Sequence, residues 1–185
     1  MSPINNDDRL DEYVDETEMT YMMYLGQAKS PQSRNDKSLR EIPDLAFQVS
    51  HVESLSKASE KNKNAARELT VTVVQLFVAI YRSLTATSAE KRDRWWEHLG
   101  IEVEKFKKLL KMIQDTYERF TALSPFKKLF KKTENKKDLK AHNITGKVIH
   151  KKFEAEEQIF LEHMRQELNE LQENCESLLM KVQEG

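Results

Sequence analysis

Trp96, Leu99, Val103, Phe106, Leu110, Ile113, Tyr117 and Phe120 follow one another at alternating intervals of three and four residues. A strand repeats its buried side every second residue and a helix every 3.6, so only a helix puts all eight on one face. The spacing predicts a helix over residues 88–122, roughly 50 Å long at 1.5 Å per residue. A seam of that length needs other apolar faces to cover it. Thr87-Ser88-Ala89-Glu90 reads as a capping box at its start, the Thr87 hydroxyl accepting a free amide while Glu90 reaches back. Gly100 inside the pattern costs up to about 1 kcal/mol relative to alanine and is expected to mark a close helix crossing.

The covering faces lie on both sides in sequence. Ile42-Pro43-Asp44 opens a helix, with proline suited to the first turn and Leu45, Val49, Val52 and Leu55 at helical spacing. Lys61-Asn62-Lys63-Asn64 breaks it, with Asn62 or Asn64 as the cap of the next helix. That helix, over 64–84, carries Leu69, Val73, Leu76, Ile80 and Leu84, widened by Val74, Phe77 and Tyr81. Its centre, TVTVVQLFVAIY, is β-branched enough to read as a strand. Its length and the flanking Ala65-Ala66-Arg67-Glu68 favour a deeply buried central helix.

Beyond the long seam, Ser124-Pro125 interrupts the pattern and a short amphipathic connector follows, after which Thr133 caps the next element. Leu139, Ile149 and Phe153 share a face that Val148 broadens, with a weak or kinked point expected around Gly146. The pattern resumes at Phe160, Met164, Leu168, Leu171, Cys175, Leu178 and Val182. Gly and Pro number four each, too few for a turn-rich β chain. The expected fold is all-α: an up-and-down four-helix bundle with a C-terminal brace-like helix and a short connector helix. Residues 1–42 are expected to form an acidic extension and linker, partly disordered, 43–160 the bundle and 161–185 an acidic C-terminal helix. The Met/Tyr cluster at 19–25 is too apolar for a free tail and is expected to dock on the bundle as a short helix. Residues 26–41 have linker composition.

Charge divides the chain sharply. The total is −1, yet residues 105–152 carry 15 Lys or Arg against Asp115, Glu118, Glu134 and Asp138. Residues 1–25 carry seven acids against Arg9, and 153–185 carry nine acids against Arg165 and Lys181. Within the basic region Phe126, Leu129 and Phe130 alternate with Lys127, Lys128, Lys131 and Lys132, and Lys136, Lys137 and Lys140 continue the charge. A short basic amphipathic turn of this kind can rest on an anionic bilayer, its apolar residues in the headgroup boundary and its lysines on lipid phosphates. The plainer reading makes the lysines a solvated face and the Phe residues core.

Catalysis finds no support in these residues. Glycines at 26, 100, 146 and 185 make no phosphate-cradling loop or dinucleotide fingerprint. The histidines form no HExxH and no metal-ligand set with the lone cysteine. Cys175, at an apolar register, is expected to be a buried thiol. The expectation is therefore a non-enzyme without cofactor or metal. Nucleic acid is not expected as a partner, because Arg119 is the only arginine in 105–152 and arginine supplies most bidentate base readout. The run Val71–Tyr81 falls short of the roughly 20 apolar residues of a membrane span. The acidic N-terminus has no apolar core segment and reads as no signal peptide. The expected location is cytoplasmic, with recruitment to membrane.

The order LSKASEKNKNAARELTVTVVQL, then a long helix ending ERFTALSPFKKLFKKTENKKDLKAHNITGKVIHKKF, resembles the N-terminal four-helix-bundle domains of the mixed lineage kinase domain-like cell-death proteins and their fungal relatives. The resemblance covers roughly residues 43–160, and 160–185 correspond to the brace-like helix of that family. It implies a necroptosis-like bundle that oligomerises on activation and binds or permeabilises phosphoinositide-rich membrane. Carried over residue by residue, the basic positions are Lys127, Lys128, Lys131, Lys132, Lys136, Lys137 and Lys140. The alternative is an adaptor or oligomerisation bundle. Its protein partner would dock on the C-terminal helix through Phe160, Met164, Leu168, Leu171 and Leu178.

Overall fold

Helix α4 (Lys63–Ala86) is the hub, with buried residues on almost every side: Leu69, Val73, Leu76, Phe77, Ile80 and Leu84 are at most 1% exposed. The computed structural model describes residues 21–59 and 61–185, and the described residues form an all-α helical bundle. The β-branched centre of α4 is helical because α3 (Ile42–Lys57) and α6 (Pro125–Glu184) cover it along its length, where tertiary burial outweighs a weak strand preference. By length and composition alone, α4 is also apolar enough to cross a bilayer, though half of its most apolar window is buried inside the protein. The eleven-residue run noted in the sequence therefore understates this helix.

The third bundle helix in chain order is α5 (Arg92–Thr121), which packs on α3 and α6 and meets α4 far less, across the diagonal. Short connections reverse the chain between successive helices, so α4 and α6 run parallel as neighbours. Pairs along them advance together: Asn62 Nδ2 donates to the Lys132 carbonyl oxygen at 3.2 Å, and Thr72 Oγ1 donates to Asn143 Oδ1. Contacts between α5 and α6 run in the opposite sense, from Thr116–His142 through Trp95–Phe153 to Arg94–Glu167.

The expected seam of α5 is present from Leu99 to Tyr117, with Trp96 and Phe120 at its half-buried rim. Trp95, not Trp96, is the fully buried indole, donating from Nε1 to Ser83 Oγ at 2.8 Å. The expected capping box is absent. A short 3-10 turn, Ala89–Lys91, precedes α5, and the Thr87 hydroxyl donates back to the Ser83 carbonyl oxygen at 2.9 Å. Asn62 does occupy the cap position of α4, but its side chain makes no capping bond and is spent on Lys132 instead.

Residues 26–41 are not a linker. Helix α1 (21–28) docks as expected, with Tyr21 buried edge-on to Phe77 and its hydroxyl 3.0 Å from Ser50 Oγ. Helix α2 (Pro31–Asn35) is capped by Ser30, and Lys37–Leu39 form a 3-10 turn capped by Asp36. Trp96 Nε1 donates to the Ser38 carbonyl oxygen at 2.7 Å, and Arg92 meets Asp36 at 2.8 Å. These polar contacts hold the segment against the bundle together with Ala28, which is fully buried, and Leu39, which packs on the core. The acidic residues from 7 to 18, with Tyr13, Val14 and Met19, lie outside the described residues.

The largest difference from expectation concerns α6. The connector, the fourth bundle helix and the brace are one continuous helix of 60 residues. Thr133 is interior to it, and Gly146 does not interrupt it: a Cβ there would lie 2.8 Å from Thr72 Cγ2, so this glycine, not Gly100, marks the close crossing. A Cβ on Gly100 would meet only Trp96 Cε3 at 3.6 Å. Val148 is exposed rather than on the core face.

Candidate functional site

Two chain reversals meet at one end of the bundle, the one between Lys57 of α3 and Lys63 of α4 and residues 122–124 between α5 and α6. Ser124 caps α6, its Oγ accepting from the Lys127 amide at 3.4 Å, and Pro125 supplies the preset backbone angle of the first turn. The sequence therefore begins α6 two turns before the bundle can cover it, and those turns hold Phe126 to Phe130.

Phe126, Leu129 and Phe130 are 69%, 63% and 71% exposed. The two rings, four residues apart, pack edge to face with centroids 4.9 Å apart, so they form one apolar knob. Lys127, Lys131 and Lys132 are exposed around it, and Lys128 is partly covered. Lys131 reaches Glu134 at 2.9 Å, an exposed pair. Lys136, Lys137 and Lys140 are exposed farther up α6.

The fold adds cations that the linear reading assigned to a helix break. Lys61, Asn62, Lys63 and Asn64 face Lys132, Thr133 and Lys136 across an open groove of about 450 Å³. Asn62 ties the two walls together through the Lys132 carbonyl. Both helices that start at this end, α4 and α6, have no acid in the first turn. They carry Lys63, Lys127 and Lys128 there, where the helix dipole disfavours positive charge. The C-termini of α3 and α5 reach the same end, each with its own cation in the last turn, Lys57 and Arg119. A groove walled by lysines, with uncapped amides of α4 at its edge, is suited to an anion. Only parallel packing of α4 on α6 brings Lys61 and Lys63 to Lys132, so spacing along the chain could not reveal them.

The expected partner face divides. Phe160 is 1% exposed, against His98 with ring centroids 5.7 Å apart, and Met164 is partly buried on the core. Neither is free to receive a partner, because α5 already covers this stretch of α6. Leu168, Leu171 and Leu178 are each 61% exposed. Cys175 is exposed, against the expectation of a buried thiol, because α6 has by then run past the end of the bundle.

His142 is buried, with Nε2 2.8 Å from Thr116 Oγ1. Burial holds its pKa below the ordinary value, Asp138 opposing and Arg119 adding to the effect. No group of three or more His, Cys, Asp or Glu among the described residues is placed to hold a metal ion. Comparison with family models, with curated proteins and with solved structures found no match to this chain.

Proposed function

We propose that this bundle binds anionic membrane surfaces through the lysine-rich end at which α4 and α6 begin. The observation that carries the reading is the exposure of Phe126, Leu129 and Phe130 inside a ring of lysines. Most large side chains in the bundle proper are buried, so three exposed ones at a single charged end call for a second apolar medium. Headgroup phosphates meet Lys127, Lys128, Lys131 and Lys132, and the Lys61–Lys136 groove takes a further phosphate group. Each lysine near a charged bilayer contributes roughly 1 kcal/mol, so binding is expected to fall steeply with salt. The resemblance to cell-death bundles adds permeabilisation of that membrane, with self-association, as the step after docking.

Vesicle co-sedimentation tests it. Binding is expected to phosphatidylcholine vesicles doped with phosphatidylserine or a phosphoinositide, and not to phosphatidylcholine alone. Phe126→Ser with Phe130→Ser weakens it, and reversing Lys127, Lys128, Lys131 and Lys132 to Glu abolishes it. Equal binding to neutral vesicles, or none to anionic ones, defeats the reading. Dye release from the same vesicles separates docking from permeabilisation.

A second, compatible reading is protein docking on the C-terminal part of α6, favoured by the exposure of Leu168, Leu171 and Leu178 beyond the bundle.

A further inference from the structure

The stripe of α6 that enters the core does not stop where the bundle does. Past Phe160 it continues as Met164, Leu168, Leu171, Cys175, Leu178 and Val182, spaced four, three, four, three and four residues apart. At 100° per residue these six fall within an arc of about 80°, on the side of α6 that faces the bundle lower down. Met164 still touches the core. Beyond it no described element covers the stripe: Leu168, Leu171 and Leu178 are 61% exposed, Val182 is 77% exposed and Cys175 is open. The stripe contains no charge, and Glu167, Glu170, Glu173, Glu176 and Glu184 all lie off it. This is the heptad pattern of a two-stranded coiled-coil seam, alternately at a and d positions.

We infer that the occupant of this seam is the same segment of a second copy, paired antiparallel. The inference deepens the second reading above, replacing an unspecified partner by this chain itself, and is independent of membrane binding. The geometry of the bundle sets the orientation. In a parallel pair, the partner's α6 below residue 164 would run on the side where α5 already packs, Trp95 on Phe153 and His98 on Phe160. In an antiparallel pair, the partner's bundle lies at the Val182 end of the seam, away from the face of α6 that α5 covers.

One register uses the whole seam. Met164 faces Val182 of the other copy, Leu168 faces Leu178, and Leu171 faces Cys175. On the flanks, Lys181 of the other copy comes beside Glu167, which already holds Arg94 of its own chain, Gln172 comes beside Gln172, and Asn174 beside Asn174. The two Cys175 residues are then offset by four positions along the axis, about 6 Å in addition to the lateral spacing. That is too far for the Cβ separation of roughly 3.5–4.5 Å in a disulfide.

The test uses the full chain. Light scattering across a micromolar concentration series is expected to show a dimer, and Leu168→Glu with Leu178→Glu a monomer. Circular dichroism should show the bundle of that variant still melting cooperatively, since both positions are outside the core. Mild oxidation is expected to leave the wild type uncross-linked. Leu171→Cys, which places a thiol opposite Cys175 of the other copy, gives a dimer that survives denaturation and is released by reductant. A wild-type monomer throughout the series overturns the proposal. So does wild-type cross-linking through Cys175, which requires a parallel pair, and so does a Leu171→Cys dimer that fails to cross-link. The vesicle result leaves each of these outcomes unchanged, so the two readings fail separately.

Discussion

Gly146 of α6 lies so close to Thr72 of α4 that a methyl group on the glycine would stand 2.8 Å from Thr72 Cγ2. Thr72 has little room to yield, because it is buried and its hydroxyl is held by Asn143. Gly146→Ala gains about 1 kcal/mol of helix propensity but overpacks the crossing. A net loss of about 1–2 kcal/mol is expected in urea unfolding, where propensity alone would give a gain.

Gly100→Ala is expected to show the opposite sign. Its added carbon meets Trp96 Cε3 at 3.6 Å, an ordinary contact, so the propensity gain of up to about 1 kcal/mol is retained. Comparing the two variants by denaturant midpoint separates packing from propensity.

His142 makes stability depend on pH. Its folded pKa is depressed, chiefly by burial, so the unfolded chain binds the proton more readily. The native state therefore has its full stability above the unfolded pKa of about 6.5 and loses it as pH falls through and below that value. His142→Gln is expected to flatten the difference in melting temperature between neutral and mildly acidic buffer.

Trp95 and Trp96 are adjacent but have different roles. Trp95→Ala opens a cavity between α5 and α6 and strands Ser83, with an expected loss of about 3–5 kcal/mol. Trp96→Ala instead removes the donor to Ser38, so limited proteolysis within 30–40 should accelerate while the bundle still melts cooperatively.

Replacing Phe126 and Phe130 by serine is expected to leave the unfolding midpoint within about 0.5 kcal/mol of wild type, since both rings are largely solvent-exposed. A large loss would mean that the knob belongs to the core.

Periodicity carried most of the bundle. The α5 residues from Leu99 to Tyr117 could be placed because a seam repeating by threes and fours has one solution. It could not choose between Trp95 and Trp96, since adjacent residues differ by 100° and the seam is wide enough to admit either. The segment 26–41 has the composition of a linker, but the Arg92–Asp36 ion pair and the bond from Trp96 to Ser38 dock it on α5, and such contacts leave no trace in an apolar pattern. Gly146 presents a related ambiguity: a glycine that breaks a helix and one that admits a neighbour look alike until the neighbour is known. The exposed knob at Phe126 and Phe130 was legible as basic and amphipathic. Its groove was not, because Lys63 and Lys132 are far apart in sequence.

The composition of α4 bears on how any sedimentation result should be read. A helix this apolar is kept from lipid by the helices packed around it, so a variant that loosens the bundle releases a segment with its own affinity for bilayers. Such a protein would pellet with neutral and anionic vesicles alike, and more so on warming. Lipid capture by Trp95→Ala or Gly146→Ala therefore reports unfolding, and a lysine variant is informative only below its own melting temperature.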